Sequence, residues 1–425
     1  MYPSERASVG DSSGGRDLDD PRLLSVLYYG TNPWDSATQR PQQIAKRLAI
    51  SNRIIYVNPI PAPLIHSDSH RYSALTVKSW PLELAKVLTR HSLHWRRMAP
   101  NLYVIDVPGL PMSSIGDAFH DFQMRILSSA VLGTLESRGS RPNVFWFSHP
   151  SQAAALNGLR PNEVCCYDCM DDHVLMASPS HRRSCSRNEK RILARADLVF
   201  ASSKKLEDKC SLVARRVIRV PNGADYTHFA PRCWPTEKQS QKKESGPVLG
   251  FFGGICHWID LDLVISIALM RPEWTIRMIG PCLDPTCDLM KRYANIDLVG
   301  EIPYETLPEY SNQFDVCIMP FKMDDFGESI NPVKMYEYLA TGLPIVSTDL
   351  AEARNLVPLL RVAKNAEKFV SQVEEALAES DESLMSRRIE FAKDNSWEDR
   401  IRLIEKAIVD EMTRSANQEE GELKS

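Results

Sequence analysis

The chain has 425 residues, of which 43% are hydrophobic and 25% charged, and its formal net charge is -4. That length predicts two or three domains, and the composition is globular rather than disordered or disulfide-stapled. No uncharged run reaches the roughly 18–20 apolar residues that span a bilayer, and the charged N-terminus lacks a signal-peptide core, so neither a spanning nor a signal-directed protein is expected.

Residues 1–20 are polar, rich in Ser, Gly and Asp, and are expected to form a disordered tail. An apolar strand pattern follows at Leu23–Tyr29. After a polar turn comes a helical pattern with Ile44, Leu48 and Ala49 on one face, then a strand at Arg53–Val57. Strand, helix and strand in about thirty residues make a βαβ unit and hence a parallel sheet. Further strands are predicted at Leu102–Val107, Asn143–Phe147, Glu163–Tyr167, Leu198–Ala201 and Val217–Val220, with a long helix over Asp117–Arg138. Residues 21–230 thus form one α/β lobe. Residues 231–247, rich in Pro, Ser, Gln and Lys, read as a linker.

The strand rhythm restarts at Val248–Phe252 and continues at Trp274–Ile279, Ile296–Val299, Phe314–Met319, Pro344–Ser347 and Arg361–Ala363. A second lobe is therefore expected over 248–395. A final helix runs from Trp397 to about Met412, within 396–414, and 415–425 is a polar tail. Two doubly wound lobes place ligand sites between them, at the carboxyl ends of their strands. The charge divides with the lobes. Residues 21–230 carry 27 basic and 16 acidic side chains, against 21 and 31 in 231–414. Lobes of opposite sign suggest different partners.

The ten cysteines mostly sit in apolar runs and read as reduced cytosolic thiols. Cys166-x-x-Cys169 with His173 has the spacing of half a zinc site, but no second well-spaced pair completes it.

The most informative stretch runs from Phe326 to Thr348. Asn331 suits an N-cap and Pro332 the first helical position, with Val333 following. The free N–H groups of a helix start, at the positive end of the dipole, make an anion site. Lys334 lies one turn in and adds a full charge. Glu337, three positions on, shares its face and suits sugar hydroxyls. Gly342 ends the helix. Without a ligand, the same residues describe a capped amphipathic helix with a Lys–Glu surface pair.

This segment, Asn331-Pro332-Val333-Lys334-Met335-Tyr336-Glu337-Tyr338-Leu339-Ala340-Thr341-Gly342-Leu343-Pro344-Ile345-Val346, resembles the motif of the large retaining glycosyltransferase family, group 1, in its exopolysaccharide and teichuronic acid branch. The resemblance implies the GT-B fold: two Rossmann-like lobes facing a cleft, with a C-terminal helix crossing back. It implies that Glu337 binds the donor ribose and that Lys334 and the helix start bind the diphosphate. Leu249–Asp260, with Gly253, Gly254 and His257, resembles the first strand and glycine loop of the donor lobe. Val299–Tyr304, with Ile302, resembles the loop that holds the base. Trp34 with Arg40-Pro41-Gln42 resembles the family's first loop and helix, Leu198–Leu206 and Val220–Phe229 resemble further N-lobe segments, and Trp397-Glu398-x-Arg400 resembles the crossing helix.

The chain departs from the pattern at two places. Ser329 stands where many members have the first of two glutamates, and the glycine loop offers His257 but no Arg or Lys before Arg271. Lys334, the helix start and Arg40 are left to hold the diphosphate, and retention or inversion at the sugar stays open.

In the first lobe, Asp168, Asp171 and Asp172 crowd the end of a buried strand. Crowded, desolvated carboxylates are pushed toward base chemistry. In an inverting transfer Asp171 is the candidate to deprotonate the acceptor; in a retaining one the acids orient sugars. Helix capping by Asp168 or Asp172 competes with both. His149 is a second cleft candidate, with a plain loop histidine as the alternative. Residues 70–97 hold six Lys or Arg against one Glu, interleaved with Trp80, Leu82, Leu84, Val87, Leu88, Leu93 and Trp95. They read either as an anionic-membrane surface or as a solvated helix.

The expectation is a metal-independent enzyme that transfers a sugar from a nucleotide sugar to a glycan or lipid-linked acceptor. It needs no cofactor, binds no nucleic acid, and works in the cytoplasm or at the inner face of the plasma membrane. A nucleotide-sugar epimerase and a non-catalytic donor-binding homologue are the alternatives on this architecture.

Overall fold

The computed structural model describes residues 24–60, 93–107, 117–230 and 246–423. The N-lobe strands are β1 (Ser25–Tyr29), β2 (Arg53–Val57), β3 (His94–Ala99), β4 (Leu102–Asp106), β5 (Val144–Phe147), β6 (Val164–Cys169), β7 (Leu198–Ala201) and β8 (Val217–Arg219). They form one sheet in the order β3-β4-β2-β1-β5-β6-β7-β8, parallel except for the β3–β4 pair. The C-lobe strands are β9 (Val248–Phe252), β10 (Thr275–Ile279), β11 (Ile296–Gly300), β12 (Val316–Met319), β13 (Ile345–Thr348) and β14 (Arg361–Ala363). They pair in parallel in the order β11-β10-β9-β12-β13-β14.

Sequences such as VLGFF and VCIM are apolar at every position because helices cover both faces of a parallel sheet, and β9 and β12 are buried throughout. The N-lobe sheet separates two apolar layers. One joins Leu27, Tyr29, Ile55 and Phe145 to Leu127 and Val131 of the Asp117–Glu136 helix and Ile192 of the Arg182–Arg195 helix. The other joins Tyr28, Tyr56 and Trp146 to Ile44 and to Trp397, Ile401, Ile404 and Ile408 of the final helix. The crossing helix therefore roofs one face of the first lobe.

Its span is Trp397–Leu423, beyond the expected stop near Met412. Residues 413–420 contain no proline and are mostly compatible with helix, so nothing breaks it at Met412. The edge strand β3 also departs from expectation. Trp95, Arg96 and Arg97, taken as part of a basic amphipathic stretch, lie in this antiparallel strand, and Arg96 is paired with Asp35 and Asp106. Residues 70–92, the rest of that stretch, lie outside the described residues, as do the 1–20 tail and most of the linker. The half-zinc reading fails on geometry. Cys166 and Cys169 are three apart on β6, so their side chains enter opposite layers.

The chain passes between lobes twice, side by side. Ala224 bridges Ser396 in parallel, the Ala224 N–H donates to Asn395 O at 2.9 Å, and Trp397 N–H donates to Ala224 O at 3.0 Å. A Cβ on Gly223 would lie 2.8 Å from the Trp397 nitrogen, so the close approach itself requires glycine there. Among the described residues no helix is long and apolar enough to cross a membrane.

Candidate active site

The strand ends of both lobes face each other across a polar seam. Asn222 donates its N–H to Asn331 Oδ1 at 2.8 Å and its side-chain amide to Asn331 O. Ser203 donates to Ser329 O at 2.6 Å. These contacts move two of the expected roles. Asn331 is not the N-cap, because its side chain is spent on Asn222 and, at 3.1 Å, on Tyr336 OH. The helix Val333–Thr341 instead has Pro332 at its N-cap, with no side chain capping its first turn. Met335 N–H donates to Pro332 O at 3.1 Å, and no cap side chain takes the donors ahead of it. Gly342 closes the helix in the left-handed region at φ 75°, as expected.

Lys334 Nζ lies 2.8 Å from Glu337 Oε2 and 4.9 Å from the Phe252 ring centroid. Glu337 is 2% exposed and Lys334 24%, so a buried carboxylate meets a half-buried ammonium whose outer side stays open. Lys334 faces the glycine loop. Gly253 has φ 146°, and a Cβ on it would lie 3.1 Å from Lys334 Cε. Gly280, at φ 135°, is packed behind it, and its Cβ would fall 2.0 Å from Gly253 O. A Gly280→Ala variant must displace that backbone. We expect it to weaken UDP binding by tenfold or more in a calorimetric titration, equivalent to about 1–3 kcal/mol of strain and misplacement.

Gly254 sits beside the Cys256 thiol and Leu283. His257 is exposed and edge-on to Trp258. The basic charge absent from the glycine loop arrives from elsewhere. Phe321 bridges Ile259 and Lys322 donates its N–H to Trp258 O at 2.9 Å. Lys322 thus enters the loop from the far end of β12. The Asp284 carboxyl is held below its usual range by the Thr286 hydroxyl and N–H, with Lys322 and His257 adding to the effect. Sequence spacing gave no sign of this pairing.

Ile302 packs on the C-lobe core. Beside it, Tyr304 stacks on His228 at 4.4 Å, and its hydroxyl donates to Asp225 at 3.3 Å. Burial first, then the nearby Glu337 and Asp225, push the Tyr304 hydroxyl far up in pKa, so it stays a protonated donor. Tyr304 therefore belongs to the pocket.

Ser329 is fully buried. Its hydroxyl donates to Phe326 O at 2.7 Å, closing a turn rather than facing a ligand. Arg40 is 3% exposed, and its guanidinium grips Asp168 at 2.8–3.0 Å while also donating to Val220 O and Asn222 Oδ1. That arrangement makes Arg40 a strut between β6 and the segment Val220–Asn222, with its guanidinium spent on protein partners. Val333 packs against the N-lobe apolar layer.

The three acids at the carboxyl end of β6 divide sharply. Asp168 is held by Arg40. Asp172 caps the His173–Met176 helix through Leu175 N–H and pairs with Lys209 at 2.9 Å. The Asp171 carboxylate has no hydrogen-bond partner among the described residues. Burial, partly opposed by Arg40 and reinforced by Asp168 and Asp172, pushes it up to about 6. His149 caps the Pro150–Gly158 segment, its Nδ1 accepting from Ser151 N–H at 3.1 Å. Burial, then His173 and His120, hold its pKa well below the usual range. It stays neutral at physiological pH and gains a proton poorly.

Two facing parallel-sheet lobes, two adjacent crossings and a glycine loop against an open helix start define the GT-B glycosyltransferase fold. Residues 246–379 match the family model described as Glycosyl transferases group 1. It is similar to the putative teichuronic acid biosynthesis glycosyltransferase TuaH of Bacillus subtilis (strain 168), with 28% identity over 274 residues, covering 59% of this chain and 68% of the relative. The fold is that of sucrose-phosphate synthase from Thermosynechococcus elongatus, at TM-score 0.67 and 14% identity over 91% of this chain and 98% of that one. Anabaena Alr3699/HepE in complex with UDP and glucose aligns at TM-score 0.59 and 14% identity, over 91% and 99%.

Proposed function

We propose that this glycosyltransferase moves a sugar from a nucleoside-diphosphate sugar to a glycan or lipid-linked acceptor in polysaccharide biosynthesis. The observation that carries this reading is the Lys334–Glu337 pair beside Gly253 at an uncapped helix start. A nucleoside diphosphate presents two ribose hydroxyls and a dianionic tail, which match a carboxylate with a neighbouring cation and free N–H groups. TuaH, named for teichuronic acid synthesis, and HepE, solved with UDP and glucose, support the substrate class.

Asp171 is assigned as the acceptor-side base, since its two neighbours are tied and its own carboxylate is pushed up to about 6. A base works when deprotonated, so the transfer rate should rise with pH through about 6 and level off above it. Asp171→Asn should lower the rate at least about 100-fold with UDP affinity unchanged. The assay is transfer of labelled sugar from UDP- and GDP-sugars to extracted lipid acceptors. If the variant keeps the rising limb, the proton goes instead to the donor phosphate, as in a retaining reaction. Donor isomerised without acceptor would point to an epimerase. Binding without turnover over the whole panel would point to a donor-binding homologue.

A further inference from the structure

The outer face of the first lobe carries a charge pattern that the transfer reaction does not use. The helices Asp117–Glu136 and Arg182–Arg195 lie on the sheet face opposite the crossing helix, each packed against the Pro150–Gly158 segment, and approach each other at Arg191 and Asp121, 3.9 Å apart. Arg183, Arg187, Lys190 and Ala194 follow a 4-3-4 spacing and so share one helix face. Together with Ser186 and Arg191 they line a shallow depression. Arg125, Arg182, Arg183, Arg187 and Lys190 are exposed, and none has an ion pair among the described residues. Phe122, 50% exposed, stands one position from Asp121 in the neighbouring helix.

The acids of these two helices do not neutralise that row. Glu189 is buried and turned to Lys209, and Glu136 is taken by Arg141 and Arg160. Asp121 lies beside Arg191 and Asp117 beside His181. Five uncompensated cations therefore spread over two adjacent helices about 20 and 30 Å long, with an aromatic ring among them. A flat cationic field with an exposed ring complements a sheet of phosphates over an apolar interior better than it complements a single strand of anions.

We infer that this face docks the enzyme on a bilayer of anionic phospholipid. The inference builds on the lipid-linked acceptor proposed above, and rests on these two helices rather than on the basic composition of residues 70–97. At about fivefold in partitioning for each basic residue near an anionic surface, losing three charges lowers binding about 100-fold.

The test uses the full chain and vesicles of phosphatidylcholine alone or with phosphatidylglycerol, in a flotation assay at low and high salt. Expected are binding to the phosphatidylglycerol vesicles only, its loss at high salt, and a roughly 100-fold fall in the triple variant Arg183→Gln, Arg187→Gln, Lys190→Gln. Phe122→Ser should weaken binding at low salt by a smaller factor. Titration with UDP on the same variants must give wild-type affinity, which shows that they fold. Equal binding to neutral vesicles, or by wild type and triple variant, overturns the inference; so does a wild type that binds an anionic polysaccharide or nucleic acid but no vesicle. Vesicle binding without sugar transfer would sink the proposed function and leave this face intact.

Discussion

Replacing Glu337 with alanine is expected to lower affinity for UDP about 100-fold. A hydrogen bond to a charged group contributes about 1.5–3 kcal/mol, and a carboxylate facing a ribose makes two. The buried position of Glu337 keeps bulk water from replacing those bonds, and Lys334 at 2.8 Å fixes the carboxylate in place. Glu337→Gln tests the charge separately from the shape: it should lose less than alanine and more than wild type. Calorimetry with UDP, GDP and ADP reads all three proteins. Undiminished affinity in Glu337→Ala would remove Glu337 from the donor site.

The largest stability loss is expected from Arg388→Met. Arg388 is fully buried. It donates to Leu359 O at 2.6 Å and Gly342 O at 3.3 Å, and grips both oxygens of Glu379 at 2.6 and 2.9 Å. It thus ties the carbonyl closing the Lys334–Glu337 helix to the segment before β14. Removing one partner of such a pair costs about 3–5 kcal/mol, because the other charge stays buried; Arg361, still 2.6 Å from Glu379, places the loss toward the lower figure. Burial raises the Glu379 pKa, but the hydrogen bonds of Arg388 and Arg361 outweigh it and hold it below the usual range. A carboxylate depressed in the folded state adds stability above its unfolded pKa and loses it as pH falls through the folded one. The thermal midpoints of wild type and variant should therefore lie well apart at pH 7 and converge on acidification. A constant gap between pH 7 and pH 3 would mean that Arg388 acts through packing alone.

Much of the architecture was legible because parallel strands buried on both faces leave continuous apolar runs. Arg53–Val57, Leu198–Ala201, Val248–Phe252 and Arg361–Ala363 fall where those runs predict them. The donor helix and its Gly342 stop were legible too, since local caps and turns write themselves into short segments. What escaped was everything fixed by contacts distant in sequence. Asn331 looks like a cap until Asn222 takes its side chain. Arg40 looks like a free cation until Asp168 meets it. Lys322 gave no local signal, because the contacts that bring it to the glycine loop, the Ile259–Phe321 bridge and its bond to Trp258 O, are distant in sequence. The three aspartates at the end of β6 were visible as a group, but their division of labour depends on Arg40 and Lys209, both remote in the chain.

The two chain crossings at Ala224 and Ser396 run parallel and are bonded to each other. A single tether would let the lobes twist and swing in any direction. A double one acts as a door hinge, leaving rotation about one axis and stiffening the rest. Opening along that axis parts the seam where Ser203 meets Ser329 and Asn222 meets Asn331, and closing returns both to the same register. The strand ends of the two lobes would then meet along one path, their alignment set by the joint rather than by either lobe alone.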